Sequence, residues 1–329
     1  MLATFLATLD PMLTLFLCIA FGFLLRKFHI LSDAAGGVMA KLITWVFYPA
    51  LSFTTMAKHC TVATISVHAT NILLSSCLVA LAIAIAVPLS KLFVRTPCAE
   101  RGIYAYALAF ANSAYMGDPL VQALFGDEML SYYKLYCLPI SLTIYVWGIS
   151  ILVPDTGKKS NPFKKILNAP MIAMFAGIIV GLSGLGAHMP SFLSSTLNSL
   201  KSCMGPVAML LVGFTVACYP FGEMLKQKKV YVASILRLTL IPAVLIAALF
   251  GIKNLLGALF GSPIDNTVLF LAFFAIATPL GLNTVVFPGA FGGNPKAGAS
   301  MALISHTIGV ISLPLMYALM VLVFGTPNI

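Results

Sequence analysis

Phe110-Ala111-Asn112-Ser113-Ala114-Tyr115-Met116-Gly117-Asp118-Pro119-Leu120-Val121-Gln122-Ala123-Leu124-Phe125-Gly126 is an apolar stretch that carries its own stop signals. Glycine suits the residue just past a helix end, aspartate is a good N-cap and proline is preferred at the first helical position. Gly117-Asp118-Pro119 therefore predicts the end of one half-helix and the start of another. In hydrocarbon such a break is tolerated only where it is buried in protein or lines a water-filled cavity. A second stretch, Ala277-Thr278-Pro279-Leu280-Gly281-Leu282-Asn283, lies in the apolar segment 267–291 and sets Thr278, another N-cap type, directly before Pro279. Each break has an asparagine nearby, Asn112 and Asn283. One broken helix in each half of a chain points to a transporter binding site at a repeat interface, where half-helix ends hold ions or anions.

The composition leaves one broad class. Of 329 residues, 60% are hydrophobic and only 9% charged, with a mean hydropathy of +1.02. A soluble domain carries about a quarter charged residues, so the chain is expected to be an all-α polytopic membrane protein embedded in the lipid bilayer. The net charge of +10 is no sign of nucleic acid, because the basic residues sit beside apolar segments, where they set orientation. The first apolar segment has Arg26 and Lys27 after it and no basic residue before it, the reverse of a signal peptide, and is expected to be a mature span. Seven scattered cysteines without a C-x-x-C pair predict neither a metal site nor a disulfide framework. No N-x-S/T acceptor occurs, which fits a bacterial inner-membrane protein.

Segments of about 20 apolar residues, enough to span a bilayer, fall at 5–25, 38–57, 67–89, 103–125, 132–153, 170–186, 192–218, 230–250, 267–291 and 297–324, which predicts ten transmembrane helices. Thirteen basic residues occupy the odd connections, and only Lys58, Lys134 and Lys253 the even ones. The odd connections are thus expected to be cytoplasmic and both termini outside. Pro11-Met12, Phe16 and Gly22 recur with the same spacing as Pro170-Met171, Phe175 and Gly181; Pro49 then faces Pro206, Pro119 faces Pro279, and Leu138-Pro139 recurs loosely as Leu313-Pro314. Two units of five spans, an odd number, must insert in opposite senses. The expected architecture is an inverted 5+5 repeat, with residues 1–153 the first copy and 154–329 the second.

Of nine acidic residues, Asp118 alone is placed at membrane depth, which makes it a candidate ion-coupling and substrate-contacting group. Its simpler role is an N-cap. Lys201, ahead of Gly205-Pro206, could attract an anion or pair structurally, and Arg237 is expected to snorkel to the cytoplasmic side. His306 could shuttle protons or serve as a hydrogen-bonded core residue. Asn112 and Asn283 can donate and accept without a charge of their own, which suits a carboxylate substrate as well as helix–helix packing. The small residues of 177–186 and 80–86 are expected to be close-packing surfaces.

The chain resembles the auxin efflux carrier family of bacterial and plant membrane transporters, which includes the PIN-type auxin carriers. The likeness lies in Trp45-Val46-Phe47-Tyr48-Pro49-Ala50-Leu51-Ser52-Phe53, Asn112-Ser113-Ala114-Tyr115-Met116-Gly117-Asp118-Pro119-Leu120, Asn168-Ala169-Pro170-Met171, Gly205-Pro206, Leu210-Leu211-Val212-Gly213, Arg237-Leu238-Thr239-Leu240-Ile241-Pro242 and the stretch 278–283. The resemblance implies a fold like that of sodium–proton antiporters and bile acid symporters. A scaffold of 1–60 with 168–220 would carry a transport domain of 67–153 with 230–324, whose crossed fourth and ninth helices hold the substrate in an elevator-like cycle. It implies a small organic anion substrate such as auxin, malate or malonate, prolines at the crossover matching Pro119 and Pro279, and substrate-contacting asparagines matching Asn112 and Asn283; Thr278 belongs to the same site. Asp118 departs from the family pattern, where an apolar residue is expected, and leaves open whether a proton or sodium ion is coupled. The short connection 155–168 departs from the long loop of the plant carriers and indicates a bacterial-type member. A sodium-coupled bile-acid-type symporter, or a non-transporting sensor of the same fold, is the alternative, and a homodimer is compatible with either. No nucleophile–base or metal constellation and no nucleotide-binding loop is apparent, so neither an enzyme nor an ATP-driven pump is expected.

Overall fold

The computed structural model describes residues 2–152, 168–261, 264–281, 283–284 and 296–327. The basic connection around 158–165, Leu282 and the tail of the 267–291 segment lie outside the described residues. Those described are almost wholly helical, and six helices are long and apolar enough to cross a membrane: Thr4–Lys27, Ala35–His59, His68–Leu92, Ser191–Val216, Lys228–Phe260 and Gly298–Phe324. The other four segments expected to span are short or interrupted. Ala169–Leu182 has 14 residues, about 21 Å at ~1.5 Å per residue and less than a bilayer core. Interruptions divide the rest, as in Ala99–Ala109, Leu138–Gly148 and Thr267–Ala277.

Small residues set the closest helix pairs. A Cβ on Gly22 would collide with the Leu210 carbonyl oxygen, and one on Gly213 with that of Ile19, so Leu2–Lys27 and Met204–Val216 touch backbone to backbone. Ala169–Leu182 lies as close on Tyr48–His59, with Gly177 against the Phe53 carbonyl and Gly181 against those of Cys60 and Met56. Without a hydrophobic force between helices in lipid, such contact is what packing relies on. Leu6, Leu13, Leu17, Phe21 and Leu24 form an exposed stripe at helical spacing on the first helix, the surface a membrane would cover. Thr267–Ala277 is the opposite case. Every residue from Val268 to Ala277 is buried, as expected of a helix that is apolar all round.

The first interruption differs from expectation in position, while the second lies at 278–280 as expected. Gly117-Asp118-Pro119 does not end a helix: Gly117 and Asp118 have helical dihedrals, and the chain is extended earlier, at Phe110 (φ −120°, ψ 136°). The cause lies in Pro119. Lacking an N–H, it cannot continue the usual ladder, and the turn before it widens, with Gly117 N–H donating to Asn112 O and Asp118 N–H to Ser113 O, both across five residues. Ile43–Phe47 makes the same wide turn ahead of Pro49, where Tyr48 N–H donates to Ile43 O. Gly117 is small for another reason: a Cβ there would meet the Tyr133 hydroxyl. Thr278 likewise closes a helix rather than opening one, at φ −64° and ψ 151° after Thr267–Ala277.

Three cations also move inward. The turn after the first broken segment is one residue, Gly126 at φ 78°, a conformation glycine adopts without strain, so the next helix restarts at Asp127 and Lys134 lies two turns inside it. Lys134 is 5% exposed and Lys253 is 8% exposed, with Lys253 donating to Ile264 O; neither is the loop residue expected. Arg237 does not snorkel. Its helix, Lys228–Leu238, packs along Lys296–Phe324 and Ala99–Ala109, and the side chain is enclosed at 1% exposure with no partner among the described residues.

Candidate functional site

The two extended interruptions meet each other. Ala111 and Leu280 form an isolated antiparallel bridge, and Asn112 N–H donates to Pro279 O at 2.7 Å. Gly281 allows this approach, because a Cβ there would press on the Ala111 carbonyl at 3.3 Å. Leu280 N–H donates to Ser305 Oγ at 3.2 Å. The Tyr133 hydroxyl lies 3.1 Å from Ser113 O, which also accepts from Asp118 N–H, and 3.2 Å from Phe274 O, so one side chain reaches carbonyls of both segments. Buried backbone groups must find partners, and here these come from the other break at Asn112 and Pro279 and from the side chains of Ser305 and Tyr133.

A cavity of about 100 Å³ opens beside this junction, roughly three water molecules' share of liquid volume. Asn112 lines it at 2% exposure, and its Nδ2 has no partner among the described residues, a buried donor left open. Asn283 lines it from the other break and donates from Nδ2 to the Tyr106 hydroxyl at 2.8 Å. Asp118 lines it too, with Oδ2 2.7 Å from Lys134 Nζ, and both side chains are under 5% exposed. Lys134 Nζ stands 4.4 Å from the centre of the Tyr48 ring, whose face favours a cation. Residues 113–115, the first turn of the following helix, line the cavity as well, and a helix start carries unpaired amides and a partial positive charge. The opposite wall comes from Tyr48 and Ser52, and from Asn168, Met171 and Met174. A buried donor, an internally neutral ion pair and a helix start together favour a small polar guest with negative charge.

The other expected residues separate into backing and bystanders. Pro119 packs on Gly205, and Pro279 on Gly309, where a Cβ would strike its ring. Thr278 is fully buried behind the junction with its hydroxyl unpartnered among the described residues. Lys201 is not at the cavity. It pairs with Asp127 at 2.6 Å by the Gly126 turn. Burial alone would push the Asp127 carboxyl up, but the hydrogen bond and charge of Lys201 outweigh it and hold the carboxyl below its ordinary value. His306 lines a different, apolar cavity of about 300 Å³ between Leu2–Lys27, Met204–Val216 and Lys296–Phe324, with Nδ1 2.7 Å from Ala302 O. Sequence reasoning missed Lys134, Tyr48, Tyr106 and Tyr133. Lys134 was within reach, since a glycine able to turn the chain at 126 would already have put it at depth. Among the described residues no group of three His, Cys, Asp or Glu could hold a metal ion.

Long apolar helices with lipid-type exposed faces, around an interrupted and polar interior, define a multi-pass helical membrane protein. A family model described as membrane transport protein matches residues 7–162 and 157–317, and the chain belongs to this family, that of the auxin efflux carriers. A comparison with curated proteins gave no match.

Proposed function

We propose that the protein is a secondary transporter of a small organic anion, a carboxylate, bound where the two broken segments meet. One observation carries the reading: a cavity beside the paired interruptions is lined by Asn112 and Asn283, one from each half of the chain, and Asn112 offers it a buried, unpartnered amide donor. Asparagine at these places suits a carboxylate because it donates without fixing a charge. The breaks are the crossed fourth and ninth helices of a ten-span, inverted 5+5 architecture. Its support is that Gly22 and Gly181, equivalent in the sequence repeat, each seat a helix on a neighbour's carbonyl. In this reading 1–60 with 168–220 forms the scaffold, and 67–153 with 230–324 the domain that moves in an elevator-type cycle. Pro119, Pro279 and Thr278 shape the breaks. The protein lies in a bacterial inner membrane with both termini outside, on the strength of the basic connections; inward placement of Lys134 and Lys253 leaves the even connections poorer still in loop cations.

The test is a thermal-shift screen of the purified protein against acetate, benzoate, malonate and succinate, with and without sodium. A ligand that binds the folded state raises its melting temperature. Asn112→Ala and Asn283→Ala should each weaken binding of the active carboxylate by about 1–3 kcal/mol, the cost of an unsatisfied buried partner. Wild-type affinity in both variants sinks the site, and a shift that requires sodium turns the reading toward the sodium-coupled alternative.

A further inference from the structure

We propose that Lys134 is the charge that receives the substrate carboxylate, and that Asp118 frees it by taking up one proton for each carboxylate bound. This rests on the carboxylate reading above and deepens it. The starting point is a count of charge around the cavity. Among its described lining residues Asp118 is the only carboxylate and Lys134 the only cation, paired at 2.7 Å and together neutral. Other titratable groups there are Tyr48, under the ammonium, with Tyr115 and Cys137 on the wall; Tyr133 lies behind Gly117. The helices packed on Asp118–Tyr136 add no second acid or base at this point. Asp10 on Leu2–Lys27 and Lys58 on Tyr48–His59 are exposed; His59, at the end of the latter helix, has Asp127, Glu128 and Lys201 as its charged neighbours rather than the cavity pair; and His68 on Ile65–Leu89 sits against Tyr132, 5.1 Å from its ring. Thr267–Ala277 and Met204–Val216 carry no titratable side chain.

Adding a carboxylate to a neutral, enclosed pair would leave one negative charge without compensation in a poorly polarisable site, where unpaired charge is disfavoured. Neutrality returns if one proton enters with the anion, and Asp118 is the group placed to take it. The Asp118 carboxylate accepts a proton from water and becomes a carboxylic acid, Lys134 keeps its positive charge and loses its ionic partner, and the substrate carboxylate replaces it. No covalent bond to substrate forms, and the charge within the site is zero before and after. The open amide of Asn112, on the same cavity wall, supplies a second donor. Asp118 and the substrate thus compete for one ammonium. This gives the departure at Asp118 a function: a residue that carries the proton and at other times shields the lysine.

The measurement is calorimetric titration of the purified protein with acetate, benzoate, malonate and succinate in buffers of different ionisation enthalpy. The wild type should take up one proton per bound substrate molecule, and its affinity should fall about tenfold for each unit of rising pH once Asp118 is ionised in the free protein. Asp118→Asn imitates the protonated state; it should bind at least tenfold more tightly than wild type at pH 8, with no proton uptake. The double variant D118N/K134M buries no unpaired charge, and thermal unfolding checks that it is folded. It should bind at least tenfold more weakly than Asp118→Asn alone. Carboxylate binding without proton uptake in the wild type, or equal affinity in the single and double variants, overturns the proposal and leaves the carboxylate reading standing. If none of the four binds the wild type, both fall together.

Discussion

At the first interruption Asn112 is followed six residues later by Asp118, and a cation from the next helix meets that carboxylate at 2.7 Å; near the second the polar side chains among the described residues include Thr278, Asn283, Thr284 and Ser305, all uncharged. The backbone treatment is common to both. Each is extended for a few residues, and the two satisfy one another through the Ala111–Leu280 bridge and the bond from Asn112 to Pro279. A broken helix therefore needs no charge to be stable here. Among the described residues the ion pair is an addition to one break only, with Lys134 and the Tyr48 ring beneath it supplied by elements outside the break.

Breaking that pair is the sharpest way to test the contrast. Lys134→Met leaves Asp118 buried and unpartnered, and loss of one member of a buried pair costs about 3–5 kcal/mol. The matching change at the second break is Thr278→Val, which removes a hydroxyl with no partner among the described residues. Replacing an unsatisfied hydroxyl by a methyl of the same shape should be near neutral or slightly stabilising. Thermal unfolding in detergent compares the two. If both variants melt alike, the breaks are equivalent after all and the charge at the first has no special place.

A middle-sized effect probes the likeness rather than the difference. Gly22→Val and Gly181→Val each push a side chain into a carbonyl of the facing helix, and overpacking of this kind costs about 1–3 kcal/mol. Equivalent positions in a repeat should lose melting temperature to a similar extent. A large loss at one and none at the other would count against the inverted repeat.

These particulars show what the sequence makes legible. The helical membrane class follows from composition, and the close contacts at Gly177 and Gly181 from the run of small residues at 177–186. That each half carries an interruption was visible from Pro119 and Pro279, and at the second Pro279 lies in the break itself, but at the first the position was not visible. A proline's missing N–H can be absorbed by a widened turn before it, so the true break at 110–112 lies upstream of the residues that signal it. The site was legible in Asn112, Asp118 and Asn283, which flank the breaks in sequence. Lys134, Tyr48 and Tyr106 reach it across tertiary contacts, and no local pattern announces those. At Lys201 and His306 the sequence leaves two roles open, and the structure sets a close partner beside each. A charged or titratable residue at depth is conspicuous in sequence, yet its neighbours decide its role, and theirs are Asp127 and the Ala302 carbonyl.

The smallest expected effect separates the two ion pairs themselves. Asp127 and Lys201 also meet closely, at 2.6 Å, but the Asp127 side chain is 32% exposed, against 3% for Asp118. Solvent and salt screen such a pair, so Asp127→Asn should cost only about 0–1 kcal/mol. Its pH dependence has a fixed sign. The carboxyl is held below its ordinary value in the folded protein by the hydrogen bond and charge of Lys201, which outweigh the effect of burial. A depressed folded value means that the stabilisation is complete above the unfolded value, about 4 for an aspartate, and fades as pH falls through the folded value beneath it. The melting-temperature gap between wild type and Asp127→Asn should thus hold steady from about pH 7 to 5, close below about 4, and narrow on adding salt. The gap opened by Lys134→Met should respond less to salt, because the side chains of that pair are only 4% and 3% exposed. A gap at Asp127 that widens on acidification, or a salt response as large at Lys134 as at Asp127, would remove the distinction between a pair that ties a turn and a pair that lines a site.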